Sequence, residues 1–309
     1  MMSGHAWGVI AILFSAVVWG TTGTAARFAP DVSAAAIGAA AMGIGGIAQA
    51  LVAARGIVRA RWMLWDQRGL LIAGALAVAI YPLAFYGAMR LAGVTIGTVI
   101  TLGSAPLLSA LIEYLLDRVR LSRRWAIGAL IGLIGMALIC SAESLSQHEA
   151  IGGDSVPLGV LLGTIGGLTY ALYSWSARKM MLGGMRSSVA MGATFGLGGV
   201  FLLPVLLVTG APFLASWTNA AVGIYMAVVP MFLGYLCFGF GLARVAASTA
   251  TIITLLEPVV AALLAMIVLG ERLPALGWIG VAMVVICLVI LTVPVPLRLA
   301  ARTAPREVA

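Results

Sequence analysis

The chain reads as an all-α polytopic membrane protein, with ten transmembrane helices arranged as two inverted five-helix repeats. Three observations predict this: the composition, a series of ten apolar stretches, and a pattern of residues that returns after about half the chain. Of 309 residues, 62% are hydrophobic and 9% charged, and the mean hydropathy is +1.13. A water-soluble domain does not carry that balance, whereas a polytopic helical membrane protein does. A bilayer core of ~30 Å needs ~20 apolar residues per helix. By that measure the spans fall at roughly 6–26, 34–54, 70–92, 95–116, 124–142, 157–177, 187–209, 218–242, 247–269 and 274–296. The short connections leave no room for a separate soluble domain.

The first stretch is read as a span and not as a cleaved signal, because no Lys or Arg precedes Arg27 and its apolar run is long for a signal. Cys140, Cys237 and Cys287 fall inside spans without paired spacing, so small packing residues are expected and not disulfides. The basic residues alternate with the spans. Arg55, Arg59, Arg61 and Arg68 follow span two, and Arg118, Arg120, Arg123 and Arg124 follow span four. Arg178, Lys179 and Arg186 follow span six, Arg244 follows span eight, and Arg298, Arg302 and Arg306 follow span ten. Only Arg27, Arg90 and Arg272 fall on the other side. The positive-inside rule then places both termini in the cytoplasm. The acidic loop between spans five and six, with Glu143, Glu149 and Asp154, agrees with an external position. The Arg-dominated, Ala- and Gly-rich usage suggests a GC-rich bacterial genome. Charges spread as membrane anchors form no continuous basic face, so nucleic acid is not an expected partner.

Two copies of one unit account for the ten spans. At an offset of 152, Pro106 falls on Pro258, Arg120-Leu121 on Arg272-Leu273 and Ile127-Gly128 on Ile279-Gly280. At an offset of 151, Trp19 falls on Tyr170, Thr22 on Tyr173 and Arg27 on Arg178. The predicted organisation is a first repeat over 1–143, an extracytoplasmic linker over 144–156, a second repeat over 157–297 and a cytoplasmic tail over 298–309. Five spans per copy is odd, so the second copy crosses in the opposite sense. Inverted repeats recur in transporters, with the substrate near the midplane between the halves.

Ser15-Ala-Val-Val-Trp19-Gly20, the Gly-rich 166–173 stretch, and Leu255-Leu-Glu-Pro-Val-Val-Ala-Ala262 followed by Leu269-Gly-Glu-Arg-Leu273 resemble the EamA-type drug/metabolite transporter superfamily over essentially the whole chain. The aromatic content of spans three and six is most similar to that of bacterial amino-acid exporters of the YddG type. The resemblance implies ten helices around a central cavity and export of amino acids and related metabolites across the inner membrane. One departure stands out: the first copy has Ala105-Pro106 where the second has Glu257-Pro258.

Glu257 is a carboxylate in the middle of an apolar span, which costs ~3 kcal/mol on insertion scales and usually marks a bundle interior or a watery path. Three roles are open: a proton-coupling acid, a counter-ion for a substrate ammonium, or an acceptor for backbone groups freed at Pro258. Ser15, Trp19 and Thr22 share one helical face, and Tyr170 and Tyr173 form the matching stripe in span six. Cavity lining and plain core packing both fit these aromatics. In span three, Tyr81-Pro82 precedes Phe85-Tyr86, and either Tyr81 or Tyr86 is expected to meet substrate. Pro82, Pro106, Pro230 and Pro258 are kink points, for gating or as simple bends. Glu113 and Asp117 are expected to pair with Arg118 and Arg120 at the interface, and Arg90 and Glu271 receive the same reading. Gly128 and Gly132 suit a packing seam, either within the chain or in a weak homodimer.

An intramembrane enzyme would need a catalytic cluster. His5 and His148 both lie outside the spans, and no acid pair occurs at mid-depth, so no enzyme is expected. No Gly-Lys-Ser/Thr phosphate loop occurs, so neither ATP nor another cofactor or metal is expected. A passive channel would display a polar ring or filter, which is not found. The reading that remains is a secondary transporter of apolar or aromatic amino acids, with multidrug or other metabolite efflux as the alternative.

Overall fold

In the computed structural model, residues 4–147, 155–270 and 272–293 are described. Ten helices are long and apolar enough to cross a membrane. In chain order they are α1 (Gly4–Ala26), α2 (Ala34–Arg59), α3 (Arg68–Ala92), α4 (Val94–Asp117), α5 (Arg123–Ala142), α6 (Val156–Leu182), α7 (Ser187–Thr209), α8 (Trp217–Leu242), α9 (Ala247–Val268) and α10 (Ala275–Thr292). Each coincides with a predicted span to within a few residues. No strand occurs among the described residues, as the bilayer requires of an open chain that must satisfy its own backbone. Most of the 144–156 linker, with His148, Glu149 and Asp154, lies outside the described residues, as do Glu271 and the 298–309 tail.

Connections are tight. Gly93 alone links α3 to α4, with a φ of +88° that a residue with a Cβ rarely adopts. The helices meet through small residues, because apolar lipid supplies no hydrophobic drive and close backbone approach must do the work. A Cβ at Gly46 of α2 would stand 2.2 Å from the Phe195 carbonyl oxygen of α7. One at Gly135 of α5 would stand 2.7 Å from the Gly280 carbonyl oxygen of α10. Gly128 and Gly132 face Leu291 and Cys287 of α10, so their seam is filled within the chain and is not a dimer surface. Cys140 and Cys287 are buried, Cys237 is half-buried, and none of the three forms a disulfide among the described residues.

Polar contacts gather the arginine-rich connections at one end. Asp117 at the end of α4 pairs with Lys179 of α6 and accepts from the Trp175 indole at 2.7 Å. Arg178 donates to the carbonyls of Leu242 and Val245 between α8 and α9. Arg124 donates to those of Ile290 and Val293 at the end of α10. The Asp117 pairing is therefore with Lys179, not with Arg118 or Arg120, which are exposed. Glu113 also departs from expectation. It is 4% exposed and caps the start of α9, accepting from the Ala247 amide at 2.8 Å and from the Ser248 hydroxyl. A carboxylate beside unpaired helical amides is stabilised by the helix dipole.

Gly46→Ala should lower the thermal stability of purified protein by about 1–3 kcal/mol, the usual cost of overpacking. Gly69→Ala, where a Cβ meets nothing within 4 Å, should leave it unchanged. Thermal unfolding in detergent measures both.

Candidate functional site

Three helices lose their regular form at depth, and the site lies among them. α8 is π-helical over Ala227–Gly234, around Pro230. Its widened turns present carbonyls that side chains satisfy: Ser15 donates to Gly234 at 2.8 Å, Trp19 to Pro230 at 2.9 Å and Gln49 to Met231 at 3.1 Å. α9 is cut into Ala247–Ile253 and Leu256–Leu269. Pro258 has no amide to give the Thr254 carbonyl, and the Glu257 amide takes that acceptor at 2.9 Å. α1 turns at Thr21, and its second piece is Thr22–Ala26.

Whereas α8 borders only an adjoining niche, α1 and α9 border a cavity of about 1070 Å³. Its wall is built from α1 (Trp19, Gly20, Thr22), α3 (Phe85, Tyr86, Arg90), α4 (Thr95, Thr98, Leu102) and α9 (Glu257, Pro258, Ala261, Ala265), with Cys140 of α5. Arg27, Ser33 and Thr209 also line it. These lie near the α1–α2 connection and the end of α7, so the cavity opens at the end opposite the arginine-rich one. A smaller niche of about 40 Å³ adjoins it, lined by Trp19, Tyr81, Pro82, Phe85, Tyr86, Tyr170, Tyr235 and Glu257 among others.

Glu257 lies at the first turn after the break in α9, partly open to the cavity. Its carboxyl is within electrostatic range of the phenols of Tyr81, Tyr86, Tyr170 and Tyr235. Among the described residues no hydrogen bond or ion pair satisfies the carboxylate, so the backbone-acceptor role is not observed. Gly20 allows α1 to reach this point, since a Cβ there would stand 2.8 Å from the Glu257 carbonyl oxygen. Gly38 does the same for α2 against Tyr86.

The aromatic residues form one connected cluster. Trp19 lies 4.7 Å from Tyr235 and 6.4 Å from Tyr170 between ring centres. Tyr81 stacks on Phe85 at 5.8 Å and meets Tyr170 edge-on at 5.6 Å. Of the residues expected from sequence, Trp19, Thr22, Tyr81, Tyr86, Tyr170 and Glu257 border the cavity or its niche. Tyr86 borders both, Tyr81 only the niche, and Tyr170, 2% exposed, gives its hydroxyl to a contact with Thr254 at 2.9 Å.

Tyr173 departs from the expectation. It is 1% exposed, pairs with the Tyr235 hydroxyl at 2.8 Å and lines neither space. Its position one turn beyond Tyr170 carries it toward the closed end. Pro82 and Pro258 border the site, whereas Pro106 and Pro230 are buried in the packing. Phe85, Tyr235 and Arg90 join the site without having been predicted in it. No shared spacing marks Tyr235, since an aromatic follows the kink proline by four residues at Tyr86 and by five at Tyr235. Arg90 was read as an interfacial residue because it lies near a loop, and that loop borders the cavity mouth.

A ten-helix membrane bundle with one deep, one-sided cavity and broken helices around it has the build of a carrier. The EamA-like transporter family model matches residues 6–141 and again 157–293, and the chain belongs to that family. The YwfM transporter of Bacillus subtilis (strain 168), named an uncharacterized transporter, is 28% identical over 94% of this chain and 95% of its own. Protein PecM of Dickeya dadantii (strain 3937) is 27% identical over 90% of this chain and 89% of its own. A solved crystal structure superposes with a TM-score of 0.74 at 19% identity, covering 96% of this chain and 98% of that one. At that identity the likeness concerns the fold alone.

Tyr173→Phe strands the Tyr235 hydroxyl in the core and should cost about 1–3 kcal/mol of stability. Tyr86→Phe, at the open cavity, should cost less than half as much. Paired thermal melts distinguish the two.

Proposed function

We propose that this EamA-family transporter exports neutral, mainly apolar and aromatic amino acids across a bacterial inner membrane, as a secondary carrier without ATP. The carrying observation is the Glu257 carboxylate, unpaired among the described residues, at the aromatic floor of a cavity that opens at one end. An ammonium group placed there meets a carboxylate that no other described residue engages, and an apolar side chain finds Trp19, Phe85 and Tyr86 beside it. Arg27 and Arg90 at the mouth favour substrates that also bear a carboxylate over lipophilic cations. Both termini and the arginine-rich end face the cytoplasm in this reading, and the cavity faces outward.

In proteoliposomes, methionine, leucine, phenylalanine or tryptophan should exchange in counterflow without nucleotide. If all four fail while a lipophilic cation moves, multidrug efflux replaces this function. Glu257→Gln keeps the side chain's shape but loses its charge, and should cut exchange at sub-saturating substrate roughly tenfold, as expected for one charged hydrogen bond. Wild-type exchange by that variant would exclude Glu257 from substrate or proton handling. Cysteines placed within 144–156 should react with an impermeant thiol reagent from outside intact cells, and reaction only after permeabilisation would reverse the orientation.

A further inference from the structure

Residues 55–68, which join α2 to α3, hold four arginines, Arg55, Arg59, Arg61 and Arg68, against one acid, Asp66. All four arginines are exposed. No hydrogen bond or ion pair joins Arg55, Arg59 or Arg61 to another described residue, and Arg68 donates to the Trp65 carbonyl at 3.0 Å. Like charges this close in the chain repel, and an anion among them relieves the repulsion.

The middle of the connection is a short helix, Arg61–Asp66, held by its inner face. Leu64 is buried in one cluster with Met180, Met185 and Val189 of the α6–α7 hairpin. Gln67 lies against Gly183 of the same hairpin. Trp62 and Trp65, one turn apart, are 69% and 63% exposed. Each carries a guanidinium group: Arg61 lies 5.4 Å from the Trp62 ring centre, and Arg68 lies 5.1 Å from that of Trp65. Stacking on an indole uses the flat face of a guanidinium and leaves its N–H edge free. That edge matches the oxygens of a phosphate two at a time. Beside it, the exposed Leu51, Val52 and Val58 of α2 lead into the apolar span.

The second half of the chain supplies a comparison. At the offset of 152, Trp65 falls on Trp217, at the connection between α7 and α8, which lies at the opposite end of the molecule. Trp217 and Leu214, the counterpart of Trp62, are 81% and 90% exposed, so the apolar anchor is kept. The arginines are not. Arg55, Arg59, Arg61 and Arg68 fall on Leu207, Ala211, Phe213 and Ala220. A tryptophan at a membrane–water boundary needs no arginine beside it, and the charged face is a separate addition at the arginine-rich end.

We propose that this connection binds one anionic phospholipid of the leaflet at the arginine-rich end. Arg61 and Arg68 are its phosphate ligands, Arg55 and Arg59 supply the surrounding positive field, and the acyl chains lie along α2. The chemistry favours a lipid over a free phosphate, because the guanidinium groups adjoin exposed rings and the apolar surface of α2, which a soluble anion leaves unused. Since Leu64 and Gln67 tie the short helix to the α6–α7 hairpin, the bound headgroup also fastens the first half of the chain to the second. The site is independent of the substrate proposed for the cavity.

Native mass spectrometry of the purified, delipidated full-length protein tests this with phosphatidylglycerol and phosphatidylcholine of identical acyl chains. Phosphatidylglycerol should bind about tenfold more tightly, the difference made by one charged hydrogen bond, and should raise the thermal midpoint by mass action. Arg61→Lys with Arg68→Lys keeps the charge that sets orientation but loses the stacked fork, and should reduce the preference to about twofold or less. Trp62→Leu with Trp65→Leu keeps an apolar anchor without the stacks and should do the same, so the test stands if the lysine pair does not fold. Arg120→Lys with Arg123→Lys, exposed in the connection between α4 and α5, should leave the preference unchanged. The site is overturned by equal binding of the two lipids, by a preference that neither pair at 61/68 or 62/65 lowers, or by an equal loss at 120 and 123. Glycerol phosphate that binds as tightly as the whole lipid would make it a site for a soluble anion and would equally overturn the proposal.

Discussion

Inside a bilayer every backbone polar group must be satisfied by the protein, and this constraint governs where the structure is free to be irregular. α1, α8 and α9 all depart from regular helix, and each departure is compensated. Ser15, Trp19 and Gln49 bind the carbonyls of the π-helical turns of α8. The Glu257 amide takes the carbonyl that Pro258 leaves. With these compensations the chain holds broken helices around a hollow, which regular helices packed by glycine could not form. The cavity exists because the breaks do.

The same constraint explains the division between scaffold and site. α2 with α7, and α5 with α10, approach each other through glycines with backbone nearly touching backbone, at Gly46 and Gly135. Such seams have no slack and serve as fixed posts. α1, α3, α4 and α9 surround the cavity; beside the close approach of Gly20 to the Glu257 carbonyl, side chains bridge them to their neighbours, with the Trp19 indole reaching α8, the Glu113 carboxylate reaching α9 and the Tyr170 hydroxyl of α6 reaching Thr254 of α9. A side-chain contact can be exchanged for water or substrate at modest cost, whereas a backbone-to-backbone seam cannot. Movement in this molecule is therefore expected where polar side chains bridge helices.

Charge is sparse and placed by function. Asp117, Lys179, Arg178 and Arg124 tie one end together, while Arg27, Arg90 and Glu257 line a single cavity. Only Glu257 combines a position deep in a span with a carboxylate left unpaired among the described residues. Glu113 is buried and fully engaged. The contrast separates an acid that holds the fold from one that is available to a ligand.

The ten helices and the presence of a carboxylate, Glu257, inside one of them are determined by the sequence itself, because hydropathy over ~20 residues and the cost of an intramembrane charge are local properties. The partners were not. Glu113 stands beside Arg118 and Arg120 in the chain, yet α4 ends with Arg118 in a left-handed conformation (φ +58°), and the groups that bind Glu113 are Ala247 and Ser248, far along the chain. Trp19 and Tyr173 looked alike as members of a symmetric stripe. Only the packing opened the first to the cavity and sealed the second against Tyr235. The two matching stretches of sequence are similar, yet α1 and α9 border the cavity while α6 and α4 close on each other through glycines. Which half is open is a property of tertiary contacts, and no residue pattern shared by both halves can encode it.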